Sequence, residues 1–412
     1  VGGPYSADAL TLELQNPGGY TLDDLSISVS NPWLEIDGVS PEQVPPGDPV
    51  SLTTRLSDQT DNLLTSPEPP GSMILVPASD VQSNGPEYDY WISLTEVTND
   101  QFATFLNDAL AHLKDARGYY LYHDLDSGSV YFNPSGQGVK GTAAPSASIS
   151  VILYDATIGR IRFQDTRYAV QAGYGRHPVV GVSWYGAVKY CNWLTIFAGL
   201  PEGVRAFGEG PDLLDWRPAT ISREDWGAGT FTDDQRREWV RNTLGYRLPM
   251  DDGSDNADPN LDEPEAFNEW RKAASARNAG DGTATFDATF AFGRDALLAA
   301  DANYLQSGDT AAESTTEVSF FDGVHALLDA TTKTTRSQNR YGLVDACGNA
   351  AEWTGDFFSS ADAVSRSTRG GSFRDASDSP LLAIAGRRSM PAAAVDDQTG
   401  FRVVRGTGHV AT

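Results

Sequence analysis

Residues 342–353 of this chain read GLVDACGNAAEW. The Gly348-Asn349 pair is turn chemistry that can direct backbone carbonyls inward. Glu352, directly before Trp353, places a carboxylate against an apolar wall, where it needs a cation or a hydrogen-bond donor. The stretch therefore predicts a tight turn that leads to a carboxylate in need of a partner.

Other motifs stand in order on both sides of this stretch. In one of them, RGGSF, the Gly370-Gly371 pair permits a close backbone approach or a positive φ ahead of a strand. The full set is MILVP at 73–77, YWI at 90–92, EVTNDQF at 96–102, HPVVGVSW at 177–184, GYRLP at 245–249, NEWRKAA at 268–274, RGGSF at 369–373 and GFRV at 400–403. Each motif alone is a weak signal, but the ordered set resembles the formylglycine-generating-enzyme, or sulfatase-modifying-factor, family.

The resemblance implies an α+β fold, a C-type lectin-like domain of the sulfatase-modifying-factor type with much irregular structure, over residues 72–412. Residues 1–62 instead show short alternating strands, which predict a small all-β domain similar to an immunoglobulin-like β-sandwich. A complete sandwich of that kind needs about 100 residues. We therefore expect this domain to be unusually small or to take a strand from elsewhere. Residues 63–71, which contain SPEPP, are the predicted linker.

Apolar residues at helical spacing predict three helices in the larger domain. They cover residues 99–113, with Thr98-Asn99 as the cap, residues 184–197 and residues 265–276. Residues 200–244 and 251–264 have little periodicity, so we predict long loops there. Loops of that length usually carry function or hold ions.

The charge of the chain excludes some classes of partner. The formal net charge is −26, from 30 Lys and Arg against 56 Asp and Glu. Nucleic acid and anionic membranes attract positive charge, so we expect neither as a partner. No stretch approaches the roughly 20 apolar residues of a membrane helix, so no membrane insertion is expected. The sequence begins at Val1 without a signal peptide, as a trimmed N-terminus would, and we expect a secreted or cell-surface location.

The cysteines argue against the catalysis that the resemblance implies. A catalyst of this family works through a reactive cysteine pair that binds copper, between the RGGSF and GFR motifs. Residues 372–399 of this chain contain no cysteine. Cys191 matches a structural cysteine of the family, whose usual partner position is Val403, and Cys347 suits a small apolar filler. The sequence also allows a disulfide bond between Cys191 and Cys347. Because the reactive cysteine pair is absent, we predict no formylglycine-generating oxidation.

The histidines argue against a second chemistry of the family. The sulfoxide synthases resemble these proteins but hold iron through histidines from an additional helical domain. This chain has five histidines, and none are at ligand spacing on a helix. His177 precedes Pro178 in a loop motif, and we interpret it as structural.

Calcium is the cofactor that the resemblance implies. In the loop at 345–352, Asp345 and Glu352 would give side-chain oxygens, while Gly348 and Ala350 would give carbonyls. In a second site, Asn303 would give its amide oxygen and Tyr304 its carbonyl, with Asp309 as a further candidate. Hard cations prefer such oxygen ligands, although a turn with incidental acids would look similar. Residues 258–269 also mimic an EF-hand loop loosely, but Glu263 stands at the glycine position.

A ligand-binding face is expected between RGGSF and GFR, because family members that bind ligands present side chains from this segment. Flexible Met and forked Arg suit contacts with a protein or a glycan. Arg388 is expected to support the core instead. The candidate ligand-binding residues are Arg374, Asp375, Ser377, Arg387, Met390, Asp396 and Gln398.

The sequence therefore predicts a non-catalytic, calcium-stabilised extracellular binding or assembly module. One alternative is a subunit of a surface layer or filament that self-assembles through its N-terminal β-domain by strand donation. Another is an enzyme whose active site lacks cysteine. A deep pocket near Arg374, Trp353 and Tyr185 with a perturbed acid or base would favour the enzyme.

Overall fold

The structure, a computed structural model, describes residues 10–14, 22–23, 34–37, 43–44, 50–56, 68–80, 86–142, 151–230, 232–251, 268–278, 283–311, 313–359 and 362–407. The chain divides into two compact units, Val1–Ser66 and Pro67–Thr412. The division falls inside the stretch predicted as the linker, residues 63–71. No helix among the described residues is long and apolar enough to cross a membrane.

The described part of the first unit consists of short antiparallel strands. They are β1 (Leu10–Leu14), β2 (Leu22–Asp23), β3 (Leu34–Asp37), β4 (Gln43–Val44) and β5 (Val50–Leu56). Strand β5 lies between β1 and β3, and β2 pairs with β4. These strands agree with the predicted all-β character, while the immunoglobulin-like topology stays a prediction.

The second unit has five α-helices among its described residues. They are α1 (Asn99–Ala111), α2 (Trp184–Phe197), α3 (Arg223–Ala228), α4 (Asp233–Asn242) and α5 (Glu269–Ser275). The prediction of α2 is confirmed at both ends, and α1 ends two residues earlier than predicted. Helix α5 begins at Glu269, within the helix predicted over residues 265–276. Residues 265–267 of that prediction lie outside the described residues.

The described strands of the second unit form three four-stranded sheets and two two-stranded ribbons. They are β6 (Met73–Val76), β7 (Tyr90–Ser93), β8 (Leu121–Asp124), β9 (Val130–Phe132), β10 (Val139–Gly141), β11 (Ile152–Tyr154), β12 (Ile161–Gln164), β13 (Arg167–Val170), β14 (Tyr246–Arg247), β15 (Arg277–Asn278), β16 (Ala284–Thr285), β17 (Ala351–Ser359), β18 (Asp362–Arg369), β19 (Arg388–Pro391), β20 (Thr399–Gly400) and β21 (Val404–Gly406). The sheet orders are β14-β21-β7-β6, β10-β8-β9-β11 and β19-β18-β17-β20. The mixture of sheets, few helices and long irregular segments confirms the predicted α+β fold.

Local sequence explains where helices α1 and α2 begin. The side chain of Thr98 accepts a hydrogen bond from the backbone of Gln101, and the side chain of Gln101 accepts one from the backbone of Thr98. This capping box satisfies backbone donors that the first turn of a helix leaves free. Ser183 caps α2 through Gly186. A Cβ at Gly186 would lie 2.2 Å from the carbonyl oxygen of Leu153, so only glycine permits this contact.

An aromatic core joins the two long helices to the C-terminal motif. The ring of Phe102 on α1 stacks on Tyr190 of α2, with centroids 5.7 Å apart. Tyr190 in turn meets the edge of Phe401, from the GFRV motif, at 5.2 Å. Burial of several such rings stabilises the fold by a few kcal/mol each. Segments far apart in the sequence, including the GFRV motif, therefore meet in one core.

The prediction of an irregular segment over residues 200–244 was wrong in part, because α3 and α4 lie within it. Ser222 caps α3 through Asp225, and Thr232 and Gln235 form a capping box at the start of α4. Trp226 and Trp239 anchor these helices in the core. The polar spacings Ser222-x-x-Asp225 and Thr232-x-x-Gln235 are start signals that apolar periodicity does not detect.

Candidate functional site

The loop before β17 adopts the tight turn that the sequence predicts. Asp345, Gly348 and Asn349 have φ values of +57°, +74° and +60°. Non-glycine residues rarely occupy this region, and Asn and Asp tolerate it better than most. The backbone of the loop therefore reverses direction repeatedly before it enters β17.

The structure brings the two predicted ion-binding segments together. The backbone N–H of Asn349 donates to the carbonyl oxygen of Asn303 at 2.8 Å, and a Cβ at Gly348 would lie 2.1 Å from that same oxygen. The side-chain amide of Asn303 donates to the carbonyl of Ser314 at 2.9 Å. The side-chain oxygen of Asn349 also accepts from the backbone of Thr316 at 2.9 Å. Asn303 and the loop at 345–352 thus share one buried surface.

Glu352 has the partner that its position requires, and that partner is an arginine. Both side chains are fully buried. The Nε and Nη2 atoms of Arg402 donate to the two carboxylate oxygens of Glu352 at 2.6 and 2.5 Å. The indole of Trp270 donates to Oε2 at 2.7 Å. Three of the four lone pairs of this carboxylate are therefore taken, which leaves little capacity for the metal ligation predicted for Glu352.

Two further carboxylates lie at the same loop. Oδ2 of Asp345 accepts from the backbone of Ser319 at 2.6 Å, and burial raises the pKa of Asp345 to about 6. Oε1 of Glu96 accepts from the backbone of Ala350 at 3.3 Å. Burial first, and then the charges of Asp345 and Glu352, raise the pKa of Glu96 well above its usual range. Negative charge is concentrated here, as a cation site requires.

The remaining predicted calcium ligands serve local turns. The carbonyl of Tyr304 accepts from the backbone of Ser307 at 2.9 Å. Oδ2 of Asp309 accepts from the hydroxyl of Ser307 at 2.6 Å, and its Oδ1 accepts from the backbone of Ala311 at 2.7 Å. Among the described residues no three His, Cys, Asp or Glu side chains form a metal-binding group. Asp345 and the backbone oxygens of its loop fit calcium chemistry, and the calcium site stays a prediction.

Part of the predicted ligand-binding face is exposed. Arg374 pairs with Asp397, and both side chains are 44% exposed. Ser377 is exposed, while Asp375 is half-buried and accepts from the backbone of Ser372 at 2.8 Å. Gln398 accepts from the hydroxyl of Ser372 at 3.0 Å. Arg374 and Ser377 are therefore free to meet a partner, while Asp375 and Gln398 hold the turn that presents them.

Two residues placed on this face by the sequence prediction lie inside the protein. Arg387, with a side chain 9% exposed, donates to Asp251 at 3.0 Å and to the carbonyl of Phe358 at 3.0 Å. Met390 is 7% exposed. The sequence predicts that Arg388 turns inward, but the buried Asp251 pairs with Arg387 instead. Arg387 and Met390 are thus corrected to core positions.

The neighbouring Arg388 behaves nearly as expected. Its guanidinium donates to the hydroxyl of Thr399 at 2.6 Å and to Asp396 at 3.2 Å. Asp396 and Arg388 each leave about a quarter of the side chain exposed. Arg388 therefore holds Thr399 and Asp396 in place, and Asp396 lies at the edge of the predicted ligand-binding face.

The two cysteine thiols lie inside the protein, away from solvent. Cys191 and Cys347 are both buried and free, so the bridge left open by the sequence is not formed. Burial raises the pKa of each thiol. A cavity beside Cys347, which Asp301 and Asp345 also line, has a volume of about 10 Å³. That volume suits one water molecule and is far below the roughly 300 Å³ of a small-molecule site.

Two largely buried histidines, His123 and His177, contact hydroxyl groups. His177 contacts the hydroxyl of Thr315 at 3.1 Å, and burial lowers its pKa. His123 is fully buried, with Nδ1 at 2.8 Å from the hydroxyl of Tyr168. Its Nε2 has no hydrogen-bond partner among the described residues. Burial lowers the pKa of His123 to about 3.

We expect His123 to make the second unit sensitive to acid. The folded protein keeps this ring neutral down to about pH 3, whereas the unfolded chain takes up a proton near its usual pKa of 6.5. Its contribution to stability is therefore complete above pH 6.5 and is lost as the pH falls toward 3. Over the two pH units from 6.5 to 4.5 the loss is about 3 kcal/mol at 1.36 kcal/mol per pH unit.

Urea unfolding at these two pH values measures this loss. The variant His123→Gln keeps a hydrogen-bonding group but cannot titrate, so its stability should fall by about 3 kcal/mol less than that of the wild type over the same range. The exposed His325→Gln is the matched control, and it should behave as the wild type does. If the free energies of unfolding of wild type and His123→Gln depended on pH in the same way, His123 would not be the source of the acid sensitivity.

Some important residues were missed at the sequence level. Glu96 belongs to the EVTNDQF motif, but its contact with Ala350 joins residues far apart in the chain, which the motif does not indicate. The buried ion pairs of Asp251 with Arg369 and Arg387 were also not foreseen. No local sequence pattern indicates these pairs, because Asp251 and Arg369 lie 118 residues apart in the chain.

Comparisons with known proteins agree with the motifs. Residues 66–407 match the family described as the sulfatase-modifying factor enzyme 1-like domain. Over 35 residues, 8% of this chain, the sequence is 49% identical to the serine/threonine-protein kinase pkn1 of Chlamydia pneumoniae and 46% identical to that of Chlamydia caviae. The chain spans only 6% of the length of these curated relatives.

Solved structures give a further likeness. CarF is 24% identical, with a TM-score of 0.43 over 77% of this chain and 86% of that protein. Variable protein 1 of Treponema denticola is 20% identical, with a TM-score of 0.39 over 91% and 99%. PvdO from Pseudomonas aeruginosa is 16% identical, with a TM-score of 0.37 over 81% and 94%. On the match over residues 66–407, this chain belongs to the sulfatase-modifying factor enzyme 1-like domain family.

Proposed function

We propose that this chain is a non-catalytic, calcium-stabilised binding module that meets a protein or glycan through the face around Arg374. The observation that carries the proposal is the placement of the thiols. Residues 372–399 contain no cysteine, and Cys191 and Cys347 are buried with raised pKa values. A reactive cysteine needs an accessible thiolate, and neither thiol meets that requirement.

The exposed part of the face supports a binding role. Arg374, Asp397 and Ser377 offer charged and hydroxyl groups in one surface segment, and Arg374 also lies over the ring of Phe373 at 4.9 Å. The side chains of Asp375 and Gln398 hold the backbone beneath them. An exposed arginine on a supported turn is a common anchor of interfaces.

The acidic composition supports the proposed setting of the module. A net charge of −26 suits a protein with bound calcium in a secreted or cell-surface location. The antiparallel strands of the first unit would allow self-assembly by strand addition. The charge also disfavours nucleic acid as a partner.

Binding to a printed array of glycans and peptides tests the proposal. We expect the wild type to be retained on a subset of spots, and Arg374→Ala to lose at least about tenfold in affinity for them. Arg223→Ala is the matched control, because Arg223 is 47% exposed and also pairs with exposed carboxylates. It should bind as the wild type does.

Two results would overturn the proposal. The first is equal binding by wild type and Arg374→Ala across the array. The second is conversion of a cysteine in a sulfatase-derived peptide to an aldehyde by the copper-loaded protein under oxygen, detected by mass spectrometry.

A further inference from the structure

Arg160, directly before β12, holds its guanidinium over the ring of Tyr174, 4.5 Å from the ring centroid. Both side chains are half-buried. Among the described residues, this guanidinium pairs with no carboxylate and donates no hydrogen bond. The nearby Arg162 instead donates to the carbonyl oxygens of Gly159 and Ile161 at 2.8 and 3.2 Å. The ring thus fixes the guanidinium of Arg160 without using its N–H donors.

The ring beneath Arg160 is itself held in place. The carbonyl of Tyr174 accepts from the side-chain amide of Asn99 at 2.9 Å, and Asn99 is fully buried at the start of α1. The backbone N–H of Tyr174 donates to Gln171 at 3.0 Å, and that of Gln171 donates to the carbonyl of Arg160 at 2.8 Å. A guanidinium on a supported ring loses little conformational freedom when it binds a ligand.

Gly181 connects this arginine to the face around Arg374. The backbone N–H of Gly181 donates to the carbonyl of Asp396 at 2.9 Å. A Cβ at Gly181 would lie 2.9 Å from the backbone nitrogen of Gly159, and its φ is +75°. The turn that ends at Arg160 and the segment at Asp396 therefore pack against the same glycine.

The carboxylate of Asp397 shows how the charges divide on this surface. The hydrogen bond from Arg374 is the main cause that lowers the pKa of Asp397, and the charge of Arg160 lowers it further. Arg374 is the arginine in direct contact. The donors of Arg160 therefore remain for a carboxylate from outside the protein, which an arginine fork matches with two parallel hydrogen bonds.

The composition of this surface favours a sugar acid over a protein. Residues 155–181 and 372–399, which the structure describes in full, contain no exposed large aliphatic or tryptophan side chain. Protein interfaces bury an apolar centre, which such a surface does not provide. Nucleic acid needs an extended positive surface, which a net charge of −26 does not offer, whereas one carboxylate needs only one local fork.

We propose that Arg160, supported by Tyr174, binds the carboxylate of a uronic-acid-containing glycan at the edge of the face around Arg374. The assignment rests on the proposed binding function and names its ligand class as an acidic glycan. It extends the face beyond residues 372–399 to a segment that precedes the HPVVGVSW motif.

Binding of the full chain to oligosaccharides of galacturonate, mannuronate and glucuronate, each beside its methyl ester, tests the assignment. The ester keeps the sugar but removes the charge. We expect the wild type to bind at least one acid at least about tenfold more tightly than its ester. In Arg160→Ala this preference should disappear. Arg160→Lys keeps the charge without the fork and should retain only part of the preference.

Arg167→Ala is the matched control, because Arg167 is exposed on the same hairpin, and it should keep the full preference. Equal preference in wild type and Arg160→Ala would overturn the role of Arg160. Retention of the wild type only on neutral glycans or on peptides, with loss in Arg374→Ala, would overturn the acidic-glycan assignment and leave the proposed function standing. If neither glycans nor peptides retained the wild type, both would fail.

Discussion

Replacing Arg402 with methionine is expected to lower the free energy of unfolding of the second unit by about 3–5 kcal/mol. Arg402 and Glu352 are fully buried. Without the guanidinium, Glu352 keeps a buried charge, and the carbonyl oxygens of Ser93, Leu94 and Val344 each lose one donor. Each of these groups was removed from water during folding, and none can return to it without opening the core.

Urea unfolding monitored by tryptophan fluorescence measures the effect. Arg374→Met is the matched control, because Arg374 also pairs with a carboxylate but is 44% exposed. An exposed pair contributes about 0–1 kcal/mol, so this control should unfold almost as the wild type does. The double variant Arg402→Met/Glu352→Leu should recover part of the loss, because it removes the unpaired charge. A loss below about 1 kcal/mol in Arg402→Met would contradict the buried-pair interpretation.

The parts of the fold that the sequence predicted are those determined by local chemistry. Residues 99–111 and 184–197 carry apolar residues at helical spacing and begin at Thr98 and Ser183, which cap them. The turn around Gly348 was likewise indicated by its own residues. These features depend on neighbours within a few positions, which a sequence displays directly.

The parts that escaped prediction depend on contacts between distant segments. Glu352 was expected to need a cation or donor, but nothing in its neighbourhood indicates that Arg402 supplies it. Arg387 and Arg388 are adjacent, and only the buried Asp251 explains why Arg387 turns inward. Glu96 reaches the loop at 345–352 through a contact across the fold. Side-chain direction at such sites follows from tertiary packing, so a single sequence leaves it open.

Gly348→Ala is expected to destabilise the second unit by at least about 3 kcal/mol. Two effects combine at this residue. Its φ of +74° is unfavourable for alanine by about 1–2 kcal/mol. A Cβ would also lie 2.1 Å from the carbonyl oxygen of Asn303, a backbone atom that cannot rotate away. The loop and the segment at Asn303 would have to separate, which breaks the hydrogen bond from Asn349 to Asn303.

Gly173→Ala separates the two effects. Gly173 has a φ of +85°, and no atom lies within 4 Å of the position of its Cβ. It should therefore lose only about 1–2 kcal/mol in urea unfolding, the contribution of the backbone conformation alone. If both variants lost the same amount, the contact between the two loops would contribute nothing beyond the turn. A larger loss in Gly348→Ala would instead measure the packing of Asn303 against the loop.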